Sequence, residues 1–151
     1  MDETINKMNK LKIKKLKDDA VLPTKAYPGD LGYDLYSNED LIIRRFKGNT
    51  LISTGIAIQF PDGYGGMIKD RSSMASKGIT TSGGILDSNY RGEIKVILYN
   101  TNDDPYIIKK GDKIAQIVPI EVTDWKVEEV VAFDDNSSDS RGEKGFGSSG
   151  K

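Results

Sequence analysis

The stretch Thr50–Phe60, TLISTGIAIQF, decides the fold class. Ile52, Thr54, Ile56, Ile58 and Phe60 alternate with Leu51, Ser53, Gly55, Ala57 and Gln59, so one face is more apolar than the other. A period of two is the strand repeat, because successive Cβ atoms point to opposite faces of a sheet. Pro61-Asp62-Gly63 then closes the strand with turn chemistry: proline presets φ and glycine accepts positive φ. Working outward, the alternation returns in Glu93–Asn100, where Ile94, Val96 and Leu98 interleave with Lys95 and Tyr99. Asn102-Asp103-Asp104-Pro105 and Lys110-Gly111-Asp112 are turns around a short Tyr106–Lys109 strand. Lys113–Glu121 and Lys126–Val131 read as two further strands, and Leu11 and Ile13 place a first one within Asn9–Lys17. Only Ser72–Lys77 has helical character, barely more than a turn. Many short strands with frequent turns predict an all-β barrel or double-sheet jelly roll with one very short helix.

A chain of 151 residues suits one domain, and a hydrophobic fraction of 36% means a small core or a segment left outside it. The composition divides the chain into an extension at 1–8, a β domain at 9–133 and a Ser/Gly/Asp-rich tail at 134–151. With 22 basic and 23 acidic residues the charges cancel, so bulk electrostatics suggest neither nucleic-acid nor membrane-surface binding. No apolar run approaches a membrane span and Met1–Lys10 has no signal-like region, so a soluble, cytoplasmic protein is expected. Cysteine is absent, which removes disulfides and thiolate chemistry. The absence of histidine excludes a Ser-His-Asp triad and histidine-held metals. Proton transfer then falls to a carboxylate, lysine or tyrosine, and any metal must accept oxygen ligands, as magnesium and calcium do.

Three segments carry more chemistry than turns need. Asp70-Arg71-Ser72-Ser73-Met74-Ala75 puts a cation and two hydroxyls where the short helix begins. They suit a phosphate cradle, although the plainer reading makes Ser72 a helix cap. In Gly83–Gly92, two glycines allow backbone to approach a flat ligand, Asp87 sits at a strand end, and Tyr90 follows three residues on. A polar hairpin turn would read the same way. Arg141–Gly150 spaces cationic and hydroxyl groups with glycines around Phe146. It reads as a disordered tail, or as a segment that folds over a nucleotide with Phe146 on the base and Arg141 at the phosphates.

In this order the segments resemble the trimeric deoxyuridine triphosphatase family. Its five motifs find a place at Gly32–Ser37, Arg71–Ser73, Gly84–Gly92, Gly111–Gln116 and Arg141–Gly150, a likeness spanning roughly 9–150. The resemblance implies a jelly-roll-like β-barrel of the β-clip type, assembled as a homotrimer with shared active sites. It implies hydrolysis of dUTP to dUMP and pyrophosphate, which limits uracil incorporation into DNA and supplies dUMP for dTTP synthesis. Asp87 would activate the water that attacks the α-phosphate. Arg71, Ser72, Ser73 and Gln116 would meet the phosphates, and Tyr90 would pack on the deoxyribose and exclude a 2′-hydroxyl. Gly84 and Ile85 would belong to a uracil pocket formed as a β-hairpin at about Gly78–Leu86. Arg141, Phe146, Gly147, Ser148 and Ser149 would close over the ligand. Mg2+ would be held mainly by the substrate phosphates, with Asp34 near its water shell or supporting Arg71. Asp112 is expected only to form a tight turn that positions Gln116. The 17 residues after Asp134 could extend about 55 Å, enough to reach a neighbouring subunit's site.

The sequence departs from the commonest family pattern at Asp70, where proline is frequent, at Thr81, where some members carry asparagine, and at Asn89. Asp70 is expected either to weaken phosphate binding or to pair with Arg71. A dCTP deaminase is the nearest rival, but Ile97 stands where that family places its catalytic glutamate, and an isoleucine cannot shuttle protons. A regulatory binding protein that keeps the nucleotide pocket is the rival from another class.

Overall fold

The alternating faces close into two antiparallel sheets. The computed structural model describes residues 9–45, 50–134, 141–147 and 150. Strands β1 (Lys12–Lys15), β2 (Tyr33–Tyr36), β3 (Leu41–Ile43), β4 (Thr50–Gln59) and β5 (Tyr64–Lys69) precede a single-turn helix, α1 (Ser72–Ala75). After it come β6 (Ile79–Thr81), β7 (Ile85–Leu86), β8 (Glu93–Asn100), β9 (Tyr106–Ile108) and β10 (Lys113–Glu121). One sheet has the order β1-β4-β8-β6, the other β2-β10-β5-β7, and β3 pairs with β9 as a ribbon. The core joins Ile52, Ile56, Val96 and Leu98 of the first sheet to Leu35, Ile68 and Ile117 of the second, so the sheets pack face to face. This is the all-β, jelly-roll-like architecture that the alternation predicts.

In β4 the even-numbered residues turn inward as expected: Ile52, Thr54, Ile56 and Ile58 are all buried, and Phe60 just beyond them is too. Thr54 tolerates burial because its hydroxyl donates to the Ile94 carbonyl at 2.5 Å. Gly55, at φ +69°, bends the strand where the β4–β8 register shifts between Ser53 and Ala57. Glu93 fills that bulge, accepting the Gly55 N–H at 3.0 Å and the Ser53 hydroxyl. Buried Asn100 donates to the Ile43 and Asp104 carbonyls and accepts the Asn102 N–H, which ties the β3–β9 ribbon to β8.

Two expectations need correction. Lys126–Val131 forms no strand: it has no sheet pairing, and Trp125, Val127 and Val131 are almost fully exposed. Alternation supplies one apolar face, but a strand also needs a neighbour, and the chain places none of its described strands there. Nor is Gly78–Leu86 a hairpin. β6 pairs with β8 and β7 with β5, so Ser82–Gly84 crosses from the edge of one sheet to the edge of the other. β5 itself is not legible as alternation, because Gly65 and Gly66 interrupt the apolar pattern. Packing demands those glycines: a Cβ on Gly66 would sit 2.6 Å from the Phe60 ring, and one on Gly65 2.7 Å from the Leu86 carbonyl.

Candidate active site

Arg71, at the junction of β5 and α1, is half-buried and oriented by a carboxylate. Its Nε donates to Asp34 Oδ1 at 3.1 Å, and Nη1 reaches Ser73 Oγ at 3.4 Å. Asp34 Oδ2 lies 3.2 Å from Lys113 Nζ. Both oxygens of Asp34 therefore face cations, and one of its two expected roles, the support of Arg71, has its geometry here. Ser72 is the first helical residue and Arg71 takes the cap position with no side-chain cap bond, so Ser72 does not cap α1. Ser72 and Ser73 are exposed, with their hydroxyls at the helix start.

Gln116 completes this cleft from β10. Its Nε2 donates to the Asp70 carbonyl at 2.8 Å, and its side chain lies so near Gly32 that a Cβ there would fall 2.7 Å from Gln116 Cδ. Gly32, Asp34, Lys69, Arg71, Ser72, Ser73 and Gln116 thus line one cleft of about 810 Å³, within the size range of nucleotide pockets. Three of the five sequence motifs converge here. The Gly111-Asp112 part of the fourth motif is a turn, closed by the Lys109 N–H on Asp112 Oδ2 at 2.9 Å, as expected. Lys69 is the residue that sequence reasoning missed. It pairs in register with Gln116, so both side chains share the sheet face that lines the cleft. Recognising β5 as a strand ending in Lys-Asp-Arg would have found it.

Asp70 neither pairs with Arg71 nor leaves its charge bare. Its Oδ1 accepts the Thr81 N–H at 2.7 Å and the Thr81 hydroxyl at 2.6 Å. Two of the unusual positions in the sequence are thus partners.

Asp87 lies elsewhere. It is exposed just after β7, in a second cleft lined by Gly65, Gly66, Met67, Ile85, Leu86, Ser88 and Ile120. The two clefts share no lining residue. They nonetheless occupy one sheet face, because Lys69 and Met67 of β5, like Gln116, Val118 and Ile120 of β10, are two residues apart along their strands. Between Lys69 and Gly66 the strand advances about 10 Å. Tyr90, half-exposed, donates its hydroxyl to the Glu93 carbonyl at 2.9 Å, and its ring lies back over Gly92. Gly84, at φ +94°, is required by its own chain: a Cβ there would meet the Ile68 carbonyl at 2.8 Å. Ile97 is half-buried, its Cδ1 3.6 Å from where a Cβ on Gly83 would stand, so hydrocarbon occupies the position at which a deaminase would need its glutamate.

Of the tail, Arg141 donates Nε to the Lys144 carbonyl, Phe146 is fully exposed, and Gly147 adopts φ +90°. Ser148, Ser149 and the extension at 1–8 lie outside the described residues. No helix among the described residues is long and apolar enough to cross a membrane.

Two facing sheets with a cation, hydroxyls and an amide gathered in one cleft, and an exposed carboxylate on the same face, make an all-β protein whose cleft has the chemistry to suit a phosphorylated ligand. The dUTPase family model matches residues 18–150, and the chain belongs to the dUTPase family. It is 44% identical to the deoxyuridine 5′-triphosphate nucleotidohydrolase of Paramecium bursaria Chlorella virus 1, over 95% of this chain and 99% of that one. The enzyme of the same name from Hydrogenobaculum sp. (strain Y04AAS1) is 47% identical, over 93% and 98%. Among solved structures, the Staphylococcus bacteriophage 80alpha dUTPase with dUPNHPP superposes with a TM-score of 0.82 at 28% identity, covering 95% of this chain and 99% of that one.

Proposed function

We propose that this chain hydrolyses dUTP to dUMP and pyrophosphate, with Asp87 as the general base. The observation that carries the reading is the pairing, in a member of the dUTPase family, of the Arg71–Ser72–Ser73–Gln116 cleft with Asp87 on one sheet face. Asp87 takes a proton from a water whose oxygen attacks the α-phosphorus, and the bond from that phosphorus to the bridging oxygen of the β-phosphate breaks. Pyrophosphate leaves with the bonding electrons. Arg71, Ser72 and Ser73 neutralise and orient the phosphates, Gln116 contacts the α-phosphate region, and Asp34 keeps the guanidinium aimed. Gly84 and Ile85 border the base, and Tyr90 packs on the sugar. Arg141, Phe146, Gly147, Ser148 and Ser149 close over the ligand and exclude water.

Among the described residues no cluster of carboxylates could hold a metal ion. Mg2+ enters as part of the substrate, held mainly by its phosphates, in keeping with that ion's preference for phosphate and water ligands. The two half-sites complement each other between subunits of a homotrimer. Exposed Ile85, Ile120 and Val122 around Asp87, and the uncovered apolar segment from Trp125 to Phe133, offer the surface that such an assembly would bury. The compartment that holds deoxynucleotides, the cytoplasm, is where the activity belongs, and the reaction limits uracil incorporation into DNA.

A panel of dUTP, dCTP, dTTP and UTP, assayed for pyrophosphate and for ammonia, tests the reading. Pyrophosphate from dUTP is expected, with little from the other three. Ammonia from dCTP would replace the hydrolase by a deaminase, and no turnover at all would leave a binding protein. Sugar selection has its own test in Gly92→Ala. The added Cβ would fall 2.6 Å from Tyr90 Cζ, so the half-exposed ring must swing away while the strand stays folded. The preference for dUTP over UTP should then drop on the order of tenfold. Unchanged preference would remove Tyr90 from the sugar site.

A further inference from the structure

Ser82–Gly84 crosses between two sheet edges, and the end of β5 holds it at both of its own ends. At the far end the Ile68 N–H donates to the Gly84 carbonyl at 2.7 Å. At the near end Thr81 is the last residue of β6, an edge strand whose outer N–H groups have no ladder partner in the sheet. Asp70 supplies one: the same carboxylate oxygen accepts both the Thr81 N–H and the Thr81 hydroxyl. The backbone of Asp70 is in turn gripped from the phosphate cleft, where Gln116 Nε2 donates to its carbonyl. One residue thus touches both the phosphate-holding loop and the start of the segment that leads to Gly84 and Ile85.

A carboxylate beside Arg71 is costly at an anion site, because like charge opposes the triphosphate. Two donors converge on Oδ1, so the carboxylate is held by Thr81 and not by the cations of the cleft. A residue needed only to seal the edge could be neutral. Resting on the functional reading above, we propose that Asp70 is a positioning residue for nucleobase selection: its bonds to Thr81 fix the start of Ser82–Ile85, the segment that borders the base.

The test compares variants by their dUTP-over-dCTP ratio of kcat/KM, with the inhibition constant of pyrophosphate as a separate probe of the phosphate cleft. Asp70→Ala removes both bonds and should cut the ratio about tenfold to a hundredfold, the range of a charge-assisted hydrogen bond. Pyrophosphate should bind as well as before or more tightly, because a negative charge has gone. Asp70→Asn keeps an acceptor oxygen and should retain most of the selectivity. Thr81→Val, which loses only the hydroxyl, should fall between, and Thr81→Ser should restore the ratio. If Asp70→Ala fails to fold, the Val and Ser pair decides the matter: equal ratios in the two would overturn the inference. Selectivity and pyrophosphate binding lost in equal measure, or an unchanged ratio, would make Asp70 a structural seal. Wild-type protein that released no pyrophosphate from dUTP would overturn the functional reading itself, an outcome distinct from active enzyme indifferent to Asp70.

Discussion

Asp87→Asn is expected to bind dUTP with nearly wild-type affinity and to turn it over about 10² to 10⁴ times more slowly, the usual contribution of a positioned general base. The amide is isosteric with the carboxylate but cannot take the proton from the attacking water. Asp87 is exposed at the end of β7 and its side chain supports no buried network, so the substitution should leave the fold intact. The groups proposed to meet the phosphates lie in a separate cleft, which is why affinity should survive when catalysis does not. Isothermal titration with a non-hydrolysable dUTP analogue and steady-state pyrophosphate release check the two halves of the statement. Near-wild-type turnover would take the base role from Asp87.

Deleting Arg141–Lys151 is the second large effect. Among the described residues of the arm, Phe146 is fully exposed and the Arg141 bond is local, to Lys144, so these residues add little to the stability of the sheets. The truncated protein should therefore unfold at the wild-type temperature. Turnover should drop by about 10²-fold, because an open site leaves the triphosphate hydrated and imperfectly aligned for in-line attack. Circular dichroism melting and a pyrophosphate assay separate these outcomes. Activity that outlasts the deletion would reduce the arm to a simple tail.

Much of this site was legible residue by residue, for reasons local to the chain. A period of two in TLISTGIAIQF suffices to predict β structure, since the pleat imposes that period on any half-buried strand. Asp87, Arg71 and the serines stood out by residue type, but each could equally have furnished a turn or a cap, and the resemblance to the dUTPase family is what marked them as a site. Their neighbours stood out less. Lys69 hid in a strand whose pattern is broken by Gly65 and Gly66, and those glycines answer to Phe60 and Leu86, groups that come close only in the fold. Asp34 was open to two roles in the sequence, and the fold adds what residue type could not show, its contacts to Arg71 and Lys113.

By itself the sequence determined the all-β class, the ordered motifs and the kinds of group available for chemistry, all of which follow from local period and residue type. Only the tertiary structure decided which of those groups meet. Strand pairing is long-range: the register of β5 with β10 sets Gln116 beside Lys69, that of β5 with β7 sets Leu86 beside Gly66, and together they divide one sheet face between the Arg71 cleft and the Asp87 carboxylate. Edge positions are equally invisible to alternation. Thr81 turned out to end an edge strand and Asp70 to satisfy its open N–H, while Lys126–Val131 kept its alternating pattern and pairs with none of the described strands. A periodic pattern specifies a face, and the fold alone chooses what that face will touch.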